Sequence, residues 1–139
     1  MTGIGTRVAR TRGMADPRRQ DLKARAFRLS ELALEVCERM ALDGPRMAHI
    51  ADQLFRAVSG IGALLEEGEV ASSRRDMAAK YAIALREARE GNYWSRLGSA
   101  RSKWSRELAP IVQETKEFVA MLTMAVRKLR TPPPEDPAE

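Results

Sequence analysis

The side chains best suited to catalysis or metal binding are few. His49 is the only histidine and Cys37 the only cysteine. A single histidine builds no His-x-x-x-His metal site, and Cys37 lies on a different segment. Glu66, Glu67 and Glu69 cluster, but consecutive positions fan out around a helix instead of converging. A di-iron bundle needs Glu-x-x-His pairs on facing helices, and none is present. Gly60-Ile61-Gly62 has no strand before it and lacks the second half of a phosphate loop. No Gly-x-Ser-x-Gly run or Cys/His dyad occurs. The sequence therefore predicts a protein that is not an enzyme, with no catalytic residue, no cofactor and no metal.

The other chemistry on offer is attraction for polyanions. The net charge is +5, unevenly distributed. Residues 1–30 carry eight Lys/Arg against two Asp/Glu, residues 31–69 three against eight, and residues 70–139 thirteen against nine. An acidic stretch between two basic ones suits a nucleic-acid binder, and equally suits pairing of helices or subunits by opposite charge. Arg7, Arg10 and Arg12 lie in a glycine-rich N-terminal arm, residues 1–15, with little to bury, and disorder is expected there. A start at Met14 would remove all three. Arg101, Lys103 and Arg106 surround Trp104 in a basic connector from Gly98 to Arg106, and Arg96, at the end of the preceding helix, is counted with them as a candidate nucleic-acid contact. Arginine and tryptophan together hold phosphate and stack on bases. The alternative is a solvated loop whose Trp104 tucks onto the end of the fold.

Helices must position these groups. Ala, Leu, Arg and Glu are abundant, whereas aromatic residues, which favour strands, make up only 5%. Helix 1 is expected to start between Asp16 and Asp21, with Asp16-Pro17 as cap and first turn. Its stripe is read as Phe27, Leu34, Cys37 and Ala41, widened by Leu22, Leu29, Val36 and Met40. Cys37 is taken as a small buried hydrophobe. Helix 2 runs from Pro45 to about Glu67, with Leu54, Val58, Ile61 and Leu65 as its seam. Ser59, Gly60, Gly62 and Ala63 beside it suggest close approach of another helix. Helix 3, capped by Ser72 or Ser73, runs to about Leu97, with Met77, Tyr81, Ala84 and Ala88 as core and Arg86–Glu90 as a surface pair. Pro110 places the start of helix 4 near Ala109. Leu108, Ile111, Thr115, Phe118, Leu122, Val126 and Leu129 form its seam. Residues 131–139, with four prolines and three acids, read as a disordered tail.

The fold class predicted is all-α: an antiparallel up-down four-helix bundle over residues 16–130. No apolar run reaches the roughly 20 residues of a membrane span, and one cysteine allows no internal disulfide. The cytoplasm is the expected location.

The stretch from Gln53 to Leu97 resembles a known family. Its marks are Gln53 with Arg56, Ser59 to Glu67, Ser73 with Asp76, and Lys80, Ile83, Ala84, Glu87, Ala88, Glu90, Tyr93 and Trp94. Glu114, Glu117, Phe118 and Leu122 continue the likeness more weakly, so that it covers roughly residues 20–130. The pattern is similar to the four-helix-bundle proteins encoded in intervening sequences of large-subunit ribosomal RNA. Accessory variability proteins of diversity-generating retroelements are distant relatives. Leu64 stands where that family has Asn, Gly60 where Ser is common, and Met77 where Phe is common. The resemblance implies a homopentamer, with Ser59, Gly60, Gly62, Lys80, Glu87, Tyr93 and Trp94 serving subunit or helix packing. For the retroelement branch it implies partnership with nucleic acid or a reverse transcriptase. The function expected is a non-enzymatic, pentameric accessory protein that binds RNA, a reverse transcriptase, or both, in a ribonucleoprotein. The alternative is a protein–protein scaffold that does not touch nucleic acid.

Overall fold

The computed structural model describes residues 17–134. The proposed arm, residues 1–15, and residues 135–139 of the proposed tail lie outside the described residues. Four helices follow in order: α1 (Pro17–Met40), α2 (Pro45–Glu69), α3 (Arg74–Gly98) and α4 (Ser102–Arg130). No strand occurs among the described residues. Short turns join successive helices, so neighbours in sequence pack antiparallel in an up-down four-helix bundle. The ring of helix contacts is closed loosely by α1 and α4, which touch less than any other adjacent pair.

Local chemistry sets the boundaries. Gly44 sits at φ 96°, a left-handed conformation that glycine adopts without strain, and Pro45 opens α2. At α3, the Ser73 hydroxyl accepts from the Asp76 amide at 3.0 Å. The Asp76 carboxylate accepts in return from the Ser72 amide at 3.3 Å. This is a capping box with its return bond displaced by one residue.

The seams of α2 and α4 are buried at every predicted position, and Tyr81, Ala84 and Ala88 bring α3 into the same core. Three predicted features of the helices are corrected. On α1 the core face is Ala26, Leu29, Ala33, Val36, Cys37 and Met40. Phe27, Leu34 and Ala41 point outwards instead. The small face wins because α2 approaches closely: a Cβ at Gly62 would lie 3.5 Å from that of Ala26. On α4 the helix starts at Ser102, eight residues before Pro110. Pro110 is exposed, so the carbonyl of Arg106 that loses its helical partner turns to water. Arg86 and Glu90 do not form the expected ion pair.

Burial pushes the Cys37 thiol up to about 12. A thiol-specific reagent at pH 8 is therefore expected to leave Cys37 untouched until denaturant is added, because the thiolate is the reacting species. Stoichiometric labelling of the folded protein would contradict the burial.

The glycines of α2 separate by what they face. A Cβ at Gly60 would meet the mobile end of Glu87, with its carboxylate oxygen at 2.9 Å. A Cβ at Gly68 would meet the buried Tyr81 ring at 2.6 Å. Gly60→Ala should be neutral or stabilise by up to about 1 kcal/mol, whereas Gly68→Ala should lower the melting temperature.

Candidate nucleic-acid interface

A polar chain runs outward from the core through the second half of α3. Thr115 is fully buried in the α4 seam and donates its hydroxyl to the Ile111 carbonyl at 2.8 Å. Asn92 donates its side-chain amide to the Thr115 hydroxyl and the Val112 carbonyl, both at 3.1 Å. The other face of that amide accepts from Arg96 Nε at 2.9 Å. Asn92 thereby fixes the Arg96 guanidinium, which lies 5.9 Å from the centre of the Tyr93 ring. Tyr93 is half exposed and meets Trp94 edge-on at 5.2 Å, and Trp94 meets His49 of α2 in the same way at 5.7 Å. The result is an aromatic row across α3 and α2 that carries a cation, anchored from the bundle interior.

The start of α4 lies at the same end. Arg101 caps the helix without a side-chain hydrogen bond, and both Arg101 and Arg106 are exposed. Neither has an ion pair with another described residue. Lys103 is exposed but bonds Asp43 at 3.3 Å. Trp104 does not fit its expected role in nucleic-acid binding. It belongs to a helix, not a connector, and is only 4% exposed. Its indole N–H donates to the Asp43 carboxylate at 2.7 Å, and the Arg39 and Lys103 side chains lie over the buried ring at 5.8 and 5.5 Å, which leaves no open face for a base. The alternative reading, a tryptophan tucked onto the bundle end, describes its position. Arg7, Arg10 and Arg12 lie outside the described residues.

Asp43 ties the α1–α2 turn to α4. The Trp104 indole, and then Lys103, hold its carboxyl below the usual carboxylate range. Its value in the fold is lower than in the unfolded chain. The stabilisation is therefore complete above about pH 4 and is lost as the pH falls through the depressed value. The melting temperature of Asp43→Asn should trail that of the native protein at neutral pH. The gap should narrow as the pH falls below the usual carboxylate range and Asp43 takes up its proton; an unchanged gap would show that the charge is irrelevant.

The expected packing residues mostly serve packing within one chain. Gly60 faces Glu87 of α3, and Gly62 faces Ala26 of α1. Lys80 pairs with Glu67 across the α2–α3 turn at 3.4 Å. Trp94 packs on the core, while Ser59 donates to the Phe55 carbonyl of its own helix. Glu87 is pushed up by burial, then by the nearby Glu90.

Two features escaped the sequence reading. Asn92, between Gly91 and Tyr93 in the second half of α3, carries no local signal for its role in organising Arg96. Arg74 and Arg75 open α3 directly after its serine cap, where nothing local marks a distant partner. In the fold, Arg74 caps the far end of α4, donating to the carbonyls of Lys128 at 2.8 Å and Leu129 at 3.0 Å. With Arg75 and Arg130 it borders a cleft of about 520 Å³. Among the described residues, no three His, Cys, Asp or Glu side chains gather as a metal site, and no helix is long and apolar enough to cross a membrane.

Comparison with known proteins places this architecture. A solved structure of a protein of unknown function from the S23 ribosomal protein family of Bacteroides thetaiotaomicron VPI-5482 superposes with a TM-score of 0.67. The match has 24% identity and covers 76% of this chain and 98% of the other, a likeness of fold. No curated protein sequence matches the chain. The model of the 23S rRNA-intervening sequence protein family matches residues 19–124, from the first turn of α1 into the last third of α4. That span holds most of the bundle core, Asn92, Arg96 and the aromatic row, and the chain belongs to the 23S rRNA-intervening sequence protein family.

Proposed function

We propose that the chain is a non-enzymatic, self-associating accessory protein that holds RNA at the bundle end where α3 passes into α4. The observation that carries this reading is the Arg96 guanidinium held over the half-exposed Tyr93 ring by Asn92. An aromatic face beside a fixed cation suits an unpaired base and its phosphate. Arg101 and Arg106 extend the positive charge along the same end. The family name ties these proteins to ribosomal RNA genes, which makes structured ribosomal RNA the first ligand to try.

Binding to a fluorescent RNA stem-loop should weaken steeply between 50 and 200 mM salt, because phosphate contacts release counterions. An affinity that ignores salt, or no binding at all, contradicts the proposal. Asn92→Ala leaves every exposed cation in place but frees Arg96. It should weaken binding to single-stranded regions more than to duplex.

A fivefold assembly, and a reverse transcriptase as protein partner, follow from the resemblance alone. Light scattering on the purified protein and co-purification with the neighbouring gene products test them. The scaffold reading draws on the exposed apolar residues of α1 and α4, Phe27, Leu34 and Met124. Recovery of a protein partner with no nuclease-sensitive material would favour it.

A further inference from the structure

The loose closure between α1 and α4 leaves a groove of about 730 Å³ near the bundle end. Leu22, Met121, Met124 and Leu129 contribute its apolar lining; Arg28 and Lys128 stand on its two banks, and with Arg25 they outnumber the one acidic lining residue, Asp21. Met124 is 65% exposed, a large apolar side chain left in water. Methionine adapts its shape to an incoming surface, so such a groove accepts a ridge of side chains. Neither Arg28 nor Lys128 has an ion pair with another described residue.

The complement lies on the same chain. The outward face of α1 carries Phe27, 64% exposed, and Leu34, 48% exposed. They are seven residues apart, about 10 Å along the helix, and form a short apolar ridge. Glu31, Glu35 and Glu38 flank it, all exposed and without an ion pair to another described residue. An acidic, apolar ridge repels RNA, which removes the polyanion as its partner. The ridge shares its helix with one wall of the groove, so it cannot enter its own chain's groove.

We infer that the ridge of α1 from a second copy of this chain docks in the α1–α4 groove. Phe27 and Leu34 enter between the methionines, and the glutamates meet Arg28 and Lys128. Each copy then offers one ridge and one groove, which generates either a ring or a twofold pair. The inference rests on the self-association part of the proposed function.

Light scattering on the full chain tests it with one variant on each surface. Phe27→Lys damages the ridge and Met124→Glu damages the groove; both sites are exposed, and circular dichroism should show unchanged helicity. Each variant alone should be monomeric, with self-affinity reduced roughly 100-fold. An equimolar mixture should give a heterodimer, because one chain keeps its groove and the other its ridge. As a second pair, Arg28→Glu/Lys128→Glu should be monomeric and should associate with Glu31→Lys/Glu35→Lys. A monomeric native chain overturns the self-association reading. An oligomeric native chain whose variants stay oligomeric, or whose monomeric variants do not pair on mixing, overturns this assignment of surfaces alone.

Discussion

Phe118→Ala lowers the unfolding free energy by about 3–5 kcal/mol, the usual cost of emptying a fully buried aromatic site. Phe118 has no exposed surface, and its ring is covered on one side by the Arg25 guanidinium at 5.6 Å. That arginine is itself pinned, donating to Glu114 at 2.7 and 3.0 Å and to Glu117 at 2.9 Å. The Gln113 amide and then Arg25 hold the Glu117 carboxyl below its usual range. The cavity therefore opens beneath the latch that joins α1 to α4, the weakest seam of the bundle, and little nearby can collapse into it. Native domains hold about 5–15 kcal/mol in total, so the loss takes a large share. Urea denaturation followed by circular dichroism measures it. A loss under about 1 kcal/mol would mean that the Phe118 site is not close-packed.

The second large effect concerns RNA. Neutralising Arg96, Arg101 and Arg106 together removes three exposed cations from one end of the molecule. Each phosphate contact contributes about 0.7–0.9 to the slope of log affinity against log salt, so the slope should fall by roughly 2–3. At about 0.1 M salt the affinity should drop on the order of 100-fold, and the change should be similar for different RNA sequences. Melting should be nearly unaffected, because exposed charges carry little stability. As a control, neutralising Arg75, Arg127 and Arg130 at the opposite end should leave the affinity within about threefold. Equal losses from both triples would reduce the site to bulk positive charge.

What the sequence made legible was decided by contrast between neighbouring residues. In α2 and α4 large apolar residues recur every three or four positions among polar ones, so the buried face is unambiguous. In α1 apolar residues surround the helix. There, size misled: Phe27 and Leu34 look like core, but the face that packs most tightly is built from Ala26 and Ala33. Only the partner helix, with Gly62 in place, makes alanine the better fit. Pro110 misled in a similar way. Its lost hydrogen bond matters in a buried turn and matters little on a wet face, and burial is a tertiary property. The candidate site was half legible. Arg96, Arg101 and Arg106 carry exposed charge that the sequence shows. Tyr93, which the resemblance implies for packing, stands half exposed beside Arg96, whereas Trp104 is consumed by Asp43. Nothing local distinguishes those two outcomes, because Asp43 lies 61 positions away.

That bond between Trp104 and Asp43 has an optical consequence. The chain contains two tryptophans, and both belong to the end where α3 gives way to α4. Their emission observes that end and is blind to the other, where Arg74 grips the last carbonyls of α4. Heating monitored by fluorescence alone would report how the Asp43 tether releases. Far-ultraviolet dichroism averages all four helices. Any temperature interval between the two curves would measure how independently the two ends of the bundle come apart.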